Sequence, residues 1–232
     1  MDIIHMAKGQ GKGTLGADRP LKERERKHAY ELKMKREAKL AFETIADKRW
    51  NFMVVDFEAY ERDHRIITEA GITTRVSDQW QSFHYRLTNH SHLRNGKYVP
   101  DEVDNFRFGQ SLFLTKAVLR EKLNEILQIP SIILVAHGIP NELRYLQLLG
   151  VTIPSKVITL DTQNIFSYFE ASKLGLNLSE MYVGLRNMLK MLNIPPFCLH
   201  NAGNDSKYTS DALQLMVAAF DASMFRDMPI EI

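Results

Sequence analysis

The run NFMVVDFEAY (51–60) changes from apolar to acidic within one strand length. Such a run, rich in β-branched and aromatic residues, reads as a buried strand with a polar end. Two further short apolar runs, SIILVAHGI (131–139) and VITLDT (157–162), read the same way. RIITEAGITTRV (65–76) and WQSFHYRLT (80–88) read as two more strands joined by a tight turn. Helical patterns follow at TKAVLREKLNEILQ (115–128) and PNELRYLQLLG (140–150), the latter with Pro near its start and Gly after its end. LSEMYVGLRNMLKMLNI (178–194) and SDALQLMVAAFDASMF (210–225) complete the helices. Three strands followed by alternating helices and strands predict an α/β fold, a mixed five-stranded sheet flanked by helices. Residues 89–114, NHSHLRNGKYVPDEVDNFRFGQSLFL, read as a long polar loop, and a loop of that length in a compact domain is usually functional. No internal repeat is visible.

At 232 residues the chain can bury one substantial core, which predicts one domain with extensions. Met1 to Gly16 lacks an apolar run, so no signal peptide is expected. No stretch approaches the roughly 20 apolar residues of a membrane helix, and the most apolar strip is interrupted by His137. A single cysteine, Cys198, excludes an internal disulfide framework and a Cys-rich zinc site, and favours a reducing, intracellular compartment, cytoplasmic or nuclear. The net charge of +2 is uneven: residues 1–50 hold 13 Lys/Arg against 8 Asp/Glu. This predicts a basic arm over 1–50 and a second unit, the body, over 51–232. Within the arm, the Gly- and Lys-rich residues 1–20 are expected to be flexible. From Leu21 to about Asp47 a charged helix is expected, with Tyr30, Met34, Ala38, Ala41 and Ile45 forming a narrow apolar stripe. Lys33, Lys35, Arg36 and Lys39 would then partly face a phosphate-bearing substrate; the alternative is a solvated helix covering the sheet.

Asp56 and Glu58 are two apart on the first body strand and project from the same face. Two acids at the end of an apolar strand repel one another, and a divalent cation with oxygen ligands, Mg²⁺ or Mn²⁺, resolves this. A solvated strand end is the plain alternative. Glu142 stands in the first turn of the helix after the run SIILVAHGI, where the helix dipole alone favours an acid. His137, at that strand end, is expected to be packed or hydrogen-bonded. HNAGND (200–205) places Asp205 in the first turn of a late helix and His200 just ahead of it. Imidazole, with a pKa of about 6.5, is suited to proton abstraction near neutral pH. In the alternative, an Asn caps the helix, Gly203 relieves a turn and His200 is incidental. Together, Asp56, Glu58, Glu142, Asp205 and His200 form a set of four acids and one histidine at element edges. His84, His90 and His92 lack the cysteines and spacing of a zinc site. Asp161 reads as a helix cap. Phe57, Tyr60, Trp80 and Phe108 read as core or as base-stacking rings, and Met181, Met188 and Met191 as core.

On these residues the chain resembles the DEDDh branch of the DnaQ-like exonucleases, with the RNase H-like fold. The stretches DFEAYERDHRIITEAGI, RNGKYVPD…DNFRFG and HNAGND resemble a fungal subfamily that includes the Argonaute-associated QIP exonuclease of RNA silencing. The resemblance spans roughly residues 51–220. It implies that Asp56, Glu58 and Asp205 are metal ligands and that His200 is the general base. The fourth acid, usually Asp in that subfamily, is Glu142 here, one methylene or about 1.5 Å longer. The resemblance further implies two divalent cations about 3.5–4 Å apart. Asp56 would bridge both, Glu58 and Asp205 would hold the nucleophile-side ion, and Glu142 the other. The implied reaction is 3′–5′ hydrolysis of RNA or single-stranded DNA to nucleoside 5′-monophosphates. Single-stranded nucleic acid, RNA favoured, and an Argonaute-type protein are the implied partners. Two alternatives remain: a weak or inactive RNase H-like binding module in a silencing or nucleic-acid complex, and a hydrolase of short oligomers.

Overall fold

A computed structural model describes residues 18–175 and 183–225. The segment 1–17, part of the expected flexible stretch, and Met181 lie outside the described residues. Six strands form one sheet: β1 (Asn51–Tyr60), β2 (Asp63–Val76), β3 (Gln79–Leu87), β4 (Ser111–Leu114), β5 (Ile132–Ala136) and β6 (Ile158–Asp161). Their order is β4-β3-β2-β1-β5-β6. β1, β2 and β3 form an antiparallel meander, β4 pairs parallel to β3, and β5 and β6 run parallel to β1. The sheet is therefore mixed, as the element order predicts, but has six strands, not five. The sixth is SLFL at the end of the expected loop; none of its four residues is buried, so no core-facing pattern announces it, and only pairing with β3 defines it.

The helices are α1 (Asp18–Ile45), α2 (Lys116–Leu127), α3 (Ile139–Leu149), α4 (Thr162–Leu174), α5 (Leu185–Met191) and α6 (Ala202–Ala218). α4 gave no amphipathic signal because both polar and apolar residues are buried around it, including Asn164, Phe166, Ser167 and Glu170. α6 starts earlier than the 210–225 pattern and stops at Ala218, with a short 3₁₀ turn, Ala222–Phe225, beyond it. Strand alternation divides the core. Phe52 and Val54 of β1 face α1, α4, α5 and α6, whereas Met53, Val55 and Phe57 face α2 and α3. By the same parity Asp56 and Glu58 point to the α6 side.

α1 is built into this core. Met34, Ala38 and Ala41 are fully buried, with Tyr30 and Ile45 packed against the same cluster. Glu37 accepts from the Asp161 backbone N–H and from Asn164 Nδ2. The Arg75 guanidinium donates to the carbonyls of Ile45, Asp47 and Trp50, fastening the end of α1 to the sheet. Lys33 and Lys39 are engaged by Glu37 and Glu43, one turn on, and Lys39 is buried. Of the four cations expected along this helix, Lys39 is thus occupied within the fold, whereas Lys33 and Arg36 are exposed.

Two glycines let α6 press on the sheet. A Cβ on Gly71 of β2 would fall 1.7 Å from the Ala202 carbonyl oxygen, and one on Gly203 would fall 2.7 Å from Cβ of His84. Gly71→Ala is therefore expected to destabilise the protein by about 3 kcal/mol or more and to displace the first turn of α6. Thermal unfolding checks this; a variant as stable as wild type would rule out the close approach.

Candidate active site

β1 runs between antiparallel β2 and parallel β5 and extends past the end of β5, and the open rim beyond the strand ends is where such sheets bind ligands. Asp56 and Glu58 lie there, partly exposed, facing the first turn of α6. Asp205 meets them, so that one carboxylate oxygen from each of the three lies within 4.8 Å of the others. Asp205 is buried; its Oδ2 accepts the His200 N–H (3.0 Å), and its Oδ1 has no partner among the described residues.

HNAGND divides its labour between the structural and the chemical readings. Asn201 is the N-cap of α6: its Oδ1 accepts the Asn204 N–H, and its Nδ2 donates to the carbonyls of Glu102 and Val103. Asn204 Nδ2 donates to the carbonyls of Asn105 and Cys198, and its Oδ1 accepts the Arg107 N–H. These bonds hold Cys198 (φ +52°) and His200 (φ +75°) in the left-handed region that L-residues rarely adopt. The His200 ring is half-exposed, with Nδ1 3.9 Å from Glu58 Oε1. Burial, then the nearby Arg186 charge, lowers its pKa from the usual 6.5 despite the opposing Glu102. The ring is neutral at pH 7 and able to accept a proton.

Glu142 lies in the first turn of α3, buried, with Oε2 unpaired among the described residues. The start of that helix is pinned by Asp161, which caps α4 through the Gln163 N–H and also accepts the N–H groups of Gly138 and Ile139. Glu142 stands outside the three-carboxylate set, although its charge acts on Asp56 and Glu58. His137 is a packed histidine: Nε2–H donates to the Val183 carbonyl, and Nδ1 lies 3.0 Å from the Thr162 hydroxyl. His90 bonds the Ile67 carbonyl.

A fifth acid, Glu69, escaped the sequence reading. It lies opposite Glu58 in the β1–β2 ladder and is buried. Its Oε2 accepts from His84 Nε2 (2.8 Å) and from the Ala202 N–H (3.4 Å), while His84 Nδ1 contacts the Ser111 hydroxyl. A hairpin register counted from the turn would bring the two glutamates together, but shifts at Glu58/Ala59 and Ala59/Tyr60 spoil that count. Glu69 and His200 also line one small polar pocket with Thr68, Asn95 and Glu102.

Burial pushes the carboxyls of Asp56, Glu58, Glu142 and Asp205 upward, and repulsion from neighbouring acids adds to it at Asp56, Glu58 and Asp205. Burial dominates for Asp56, then Asp205 and Glu142; for Glu58 burial is followed by Glu69. Burial raises Asp205 to about 7 and Glu142 to about 8. Carboxylates whose charge is so disfavoured, with two buried oxygens unpartnered, fit a divalent cation. A raised folded-state pKa contributes stability below the unfolded value, near 4, that is lost as pH rises through the folded value. In EDTA the melting temperature should therefore fall between pH 5 and pH 8, and Mg²⁺ or Mn²⁺ should raise it more at pH 8 than at pH 5. Calorimetry measures both; a melting temperature that climbs with pH in EDTA contradicts the repulsive cluster.

The family comparison accords with this geometry. Residues 51–217 match the DEDDh family model described as DNA polymerase III subunit epsilon-like, C-terminal domain. The chain belongs to the DEDDh exonuclease family. Another member-like chain, the nucleolar protein C2C4.08 of Schizosaccharomyces pombe, is 47% identical over 88% of this chain and 86% of its own length. Among solved structures, exonuclease I superposes with a TM-score of 0.53 at 12% identity, over 76% of this chain and 42% of its own. E. coli exonuclease I in complex with a dT13 oligonucleotide gives 0.50 at 11% identity, over 76% and 43%. The DEDDh chain thus spans less than half of those exonuclease I chains, and the likeness at this identity shows the RNase H-like fold. Among the described residues, no helix is long and apolar enough to cross a membrane.

Proposed function

We propose that the protein is a divalent-cation-dependent 3′–5′ exonuclease that shortens single-stranded nucleic acid, RNA foremost, to nucleoside 5′-monophosphates. The observation that carries this reading is the meeting of Asp56, Glu58 and Asp205 within 4.8 Å, with Asp205 Oδ1 buried and unpartnered. Asp56, Glu58, Asp205 and Glu142 would hold two Mg²⁺ or Mn²⁺ ions, which supply charge neutralisation of the scissile phosphate and acidify the attacking water. His200, neutral at pH 7, takes the proton of that water at Nδ1, the ring nitrogen facing Glu58. The water oxygen bonds to phosphorus as the bond to the 3′-oxygen of the preceding nucleotide breaks, and that oxygen leaves with a solvent proton. Asp205 orients the base through the His200 N–H. The QIP-like motifs support an Argonaute-type protein partner, and the nucleolar name of the S. pombe relative supports a nuclear location.

The test is incubation of the pure protein with 5′-labelled RNA and DNA in Mg²⁺, Mn²⁺ or EDTA. A cation-dependent ladder shortening from the 3′ end is expected; binding without cleavage overturns the reading in favour of a binding module, and cleavage of dimers and trimers alone in favour of an oligomer hydrolase. The position of Glu142 outside the three-carboxylate set is what favours the binding module. Glu142→Asp addresses it directly. With a shorter side chain at the position where the subfamily carries Asp, activity should be kept or raised and half-saturation should need less Mg²⁺. A variant as inactive as Glu142→Ala would mean that the longer reach is required here.

A further inference from the structure

Two phenylalanines beside the site are exposed although each is firmly held: Phe197 at 59% and Phe108 at 38% of full exposure. Both are anchored by Tyr208, a buried residue of α6 three positions after Asp205. The Tyr208 ring receives the edge of Phe108 (centroids 5.5 Å apart), and its hydroxyl oxygen accepts the Phe197 N–H (3.1 Å). Phe106 packs on the far edge of Phe108, and Pro195 and Pro196 stiffen the approach to Phe197. The ring of Phe108, held by its ring neighbours, and the side chain of Phe197, carried on a pinned backbone, lose little entropy on meeting a flat ligand. Lys207 lies over Phe108 but is already paired with Asp211.

The free positive charge comes from arginines. Arg107 is exposed, its backbone is tied to Asn204, and among the described residues its guanidinium donates to the Cys198 sulfur alone, at 3.8 Å. Arg186 is exposed on α5 and close enough for its charge to act on both His200 and Asp205. Neither guanidinium has a carboxylate within salt-bridge reach among the described residues. Exposed rings interleaved with guanidiniums that have no carboxylate partner among the described residues, continuous with the acidic site through Asn204, suit alternating bases and phosphates.

We propose that Phe108, Phe197, Arg107 and Arg186 form a single-strand platform, on which unpaired bases stack on the two rings while the guanidiniums take the flanking phosphates. This rests on the exonuclease reading for the identity of the ligand, but not for its measurement. The platform would act beside the phosphate contacts expected of the N-terminal helix, where Lys39 is buried but Lys33 and Arg36 are exposed.

Binding is measured in EDTA, where no cleavage occurs, by fluorescence anisotropy. The probes are a labelled 12-nucleotide RNA, a strand of equal length with abasic sugars, and a 12-base-pair duplex. Wild type should prefer the base-bearing single strand. Phe197→Ala should weaken its binding roughly tenfold, in the range of one lost base–aromatic stack, and leave abasic-strand binding unchanged. Phe108→Leu should behave alike. Arg107→Gln and Arg186→Gln should each reduce the slope of log affinity against log salt by about 0.7, as for one phosphate contact on a single strand. Phe197 is the surest probe, because its exposed ring can be removed without opening the core. Equal wild-type affinity for base-bearing and abasic strands, or unaltered binding by Phe197→Ala, overturns the platform and leaves the rings to a protein partner. The 3′-ladder assay is decided separately, so loss of the platform does not remove the exonuclease reading.

Discussion

Asp205→Asn is expected to abolish cleavage while making the cation-free protein more stable. Asparagine has the shape of aspartate and keeps a carbonyl oxygen for the His200 N–H, so the cap and the strained backbone before α6 survive. The charge is what disappears. Burial, aided by Glu69, raises the Asp205 pKa from 3.8 to about 7. One unit is worth about 1.4 kcal/mol, and because neighbouring acids share the penalty, a gain of about 1–3 kcal/mol is expected in EDTA at pH 8. The gain should vanish below pH 4, where the wild-type carboxyl is protonated in both folded and unfolded chains. Activity should fall by well over 100-fold, since even outer-sphere changes at metal sites cost about 10–100-fold. The cation-induced rise in melting temperature should shrink in parallel. A variant that cleaves at near the wild-type rate, or melts below wild type in EDTA at pH 8, contradicts the assignment of Asp205 to a cation.

His200→Ala should lower the rate by about 10²–10⁴-fold, the usual worth of a positioned general base, and leave cation-induced stabilisation intact. The pH profile separates this role from a structural one. The His200 pKa is lowered from 6.5, chiefly by burial and then by Arg186. The wild-type rate should therefore fall as pH drops through a value below 6.5, where the ring takes up a proton, and the variant should lose that limb. The backbone supplies a control. At φ +75° alanine remains strained while glycine does not, so His200→Gly should melt higher than His200→Ala by about 1 kcal/mol yet be equally slow. An unchanged profile in both rate and shape would remove His200 from the proton path.

Signals confined to neighbouring residues were legible in the chain itself. The run 51–60 is β1 to the residue, because its apolar faces alternate against helices on both sides. The spacing of Asp56 and Glu58 placed both on one face, since strand parity allows nothing else. Pro and Gly bounded α3, and the Asn and Asp of HNAGND marked a helix start, because caps answer to the first turn of their own helix. The motif resemblance to DEDDh exonucleases rested on these local patterns, and the family match over 51–217 accords with it. Other features follow from parts of the chain that meet only after folding. β4 exists because it pairs with β3, and α4 has no stripe because it is covered on several sides. Glu69 faces Glu58 through a register altered by bulges, and His84 satisfies it from the next strand. The ring of Phe108 and the backbone of Phe197 are both held by Tyr208. Local sequence sets dihedral preference, periodicity and capping, which act over a few residues. Which carboxylates lose their water together, and which charges are left to repel one another, depends on strand register and helix docking across more than a hundred residues, and this the tertiary structure alone decided.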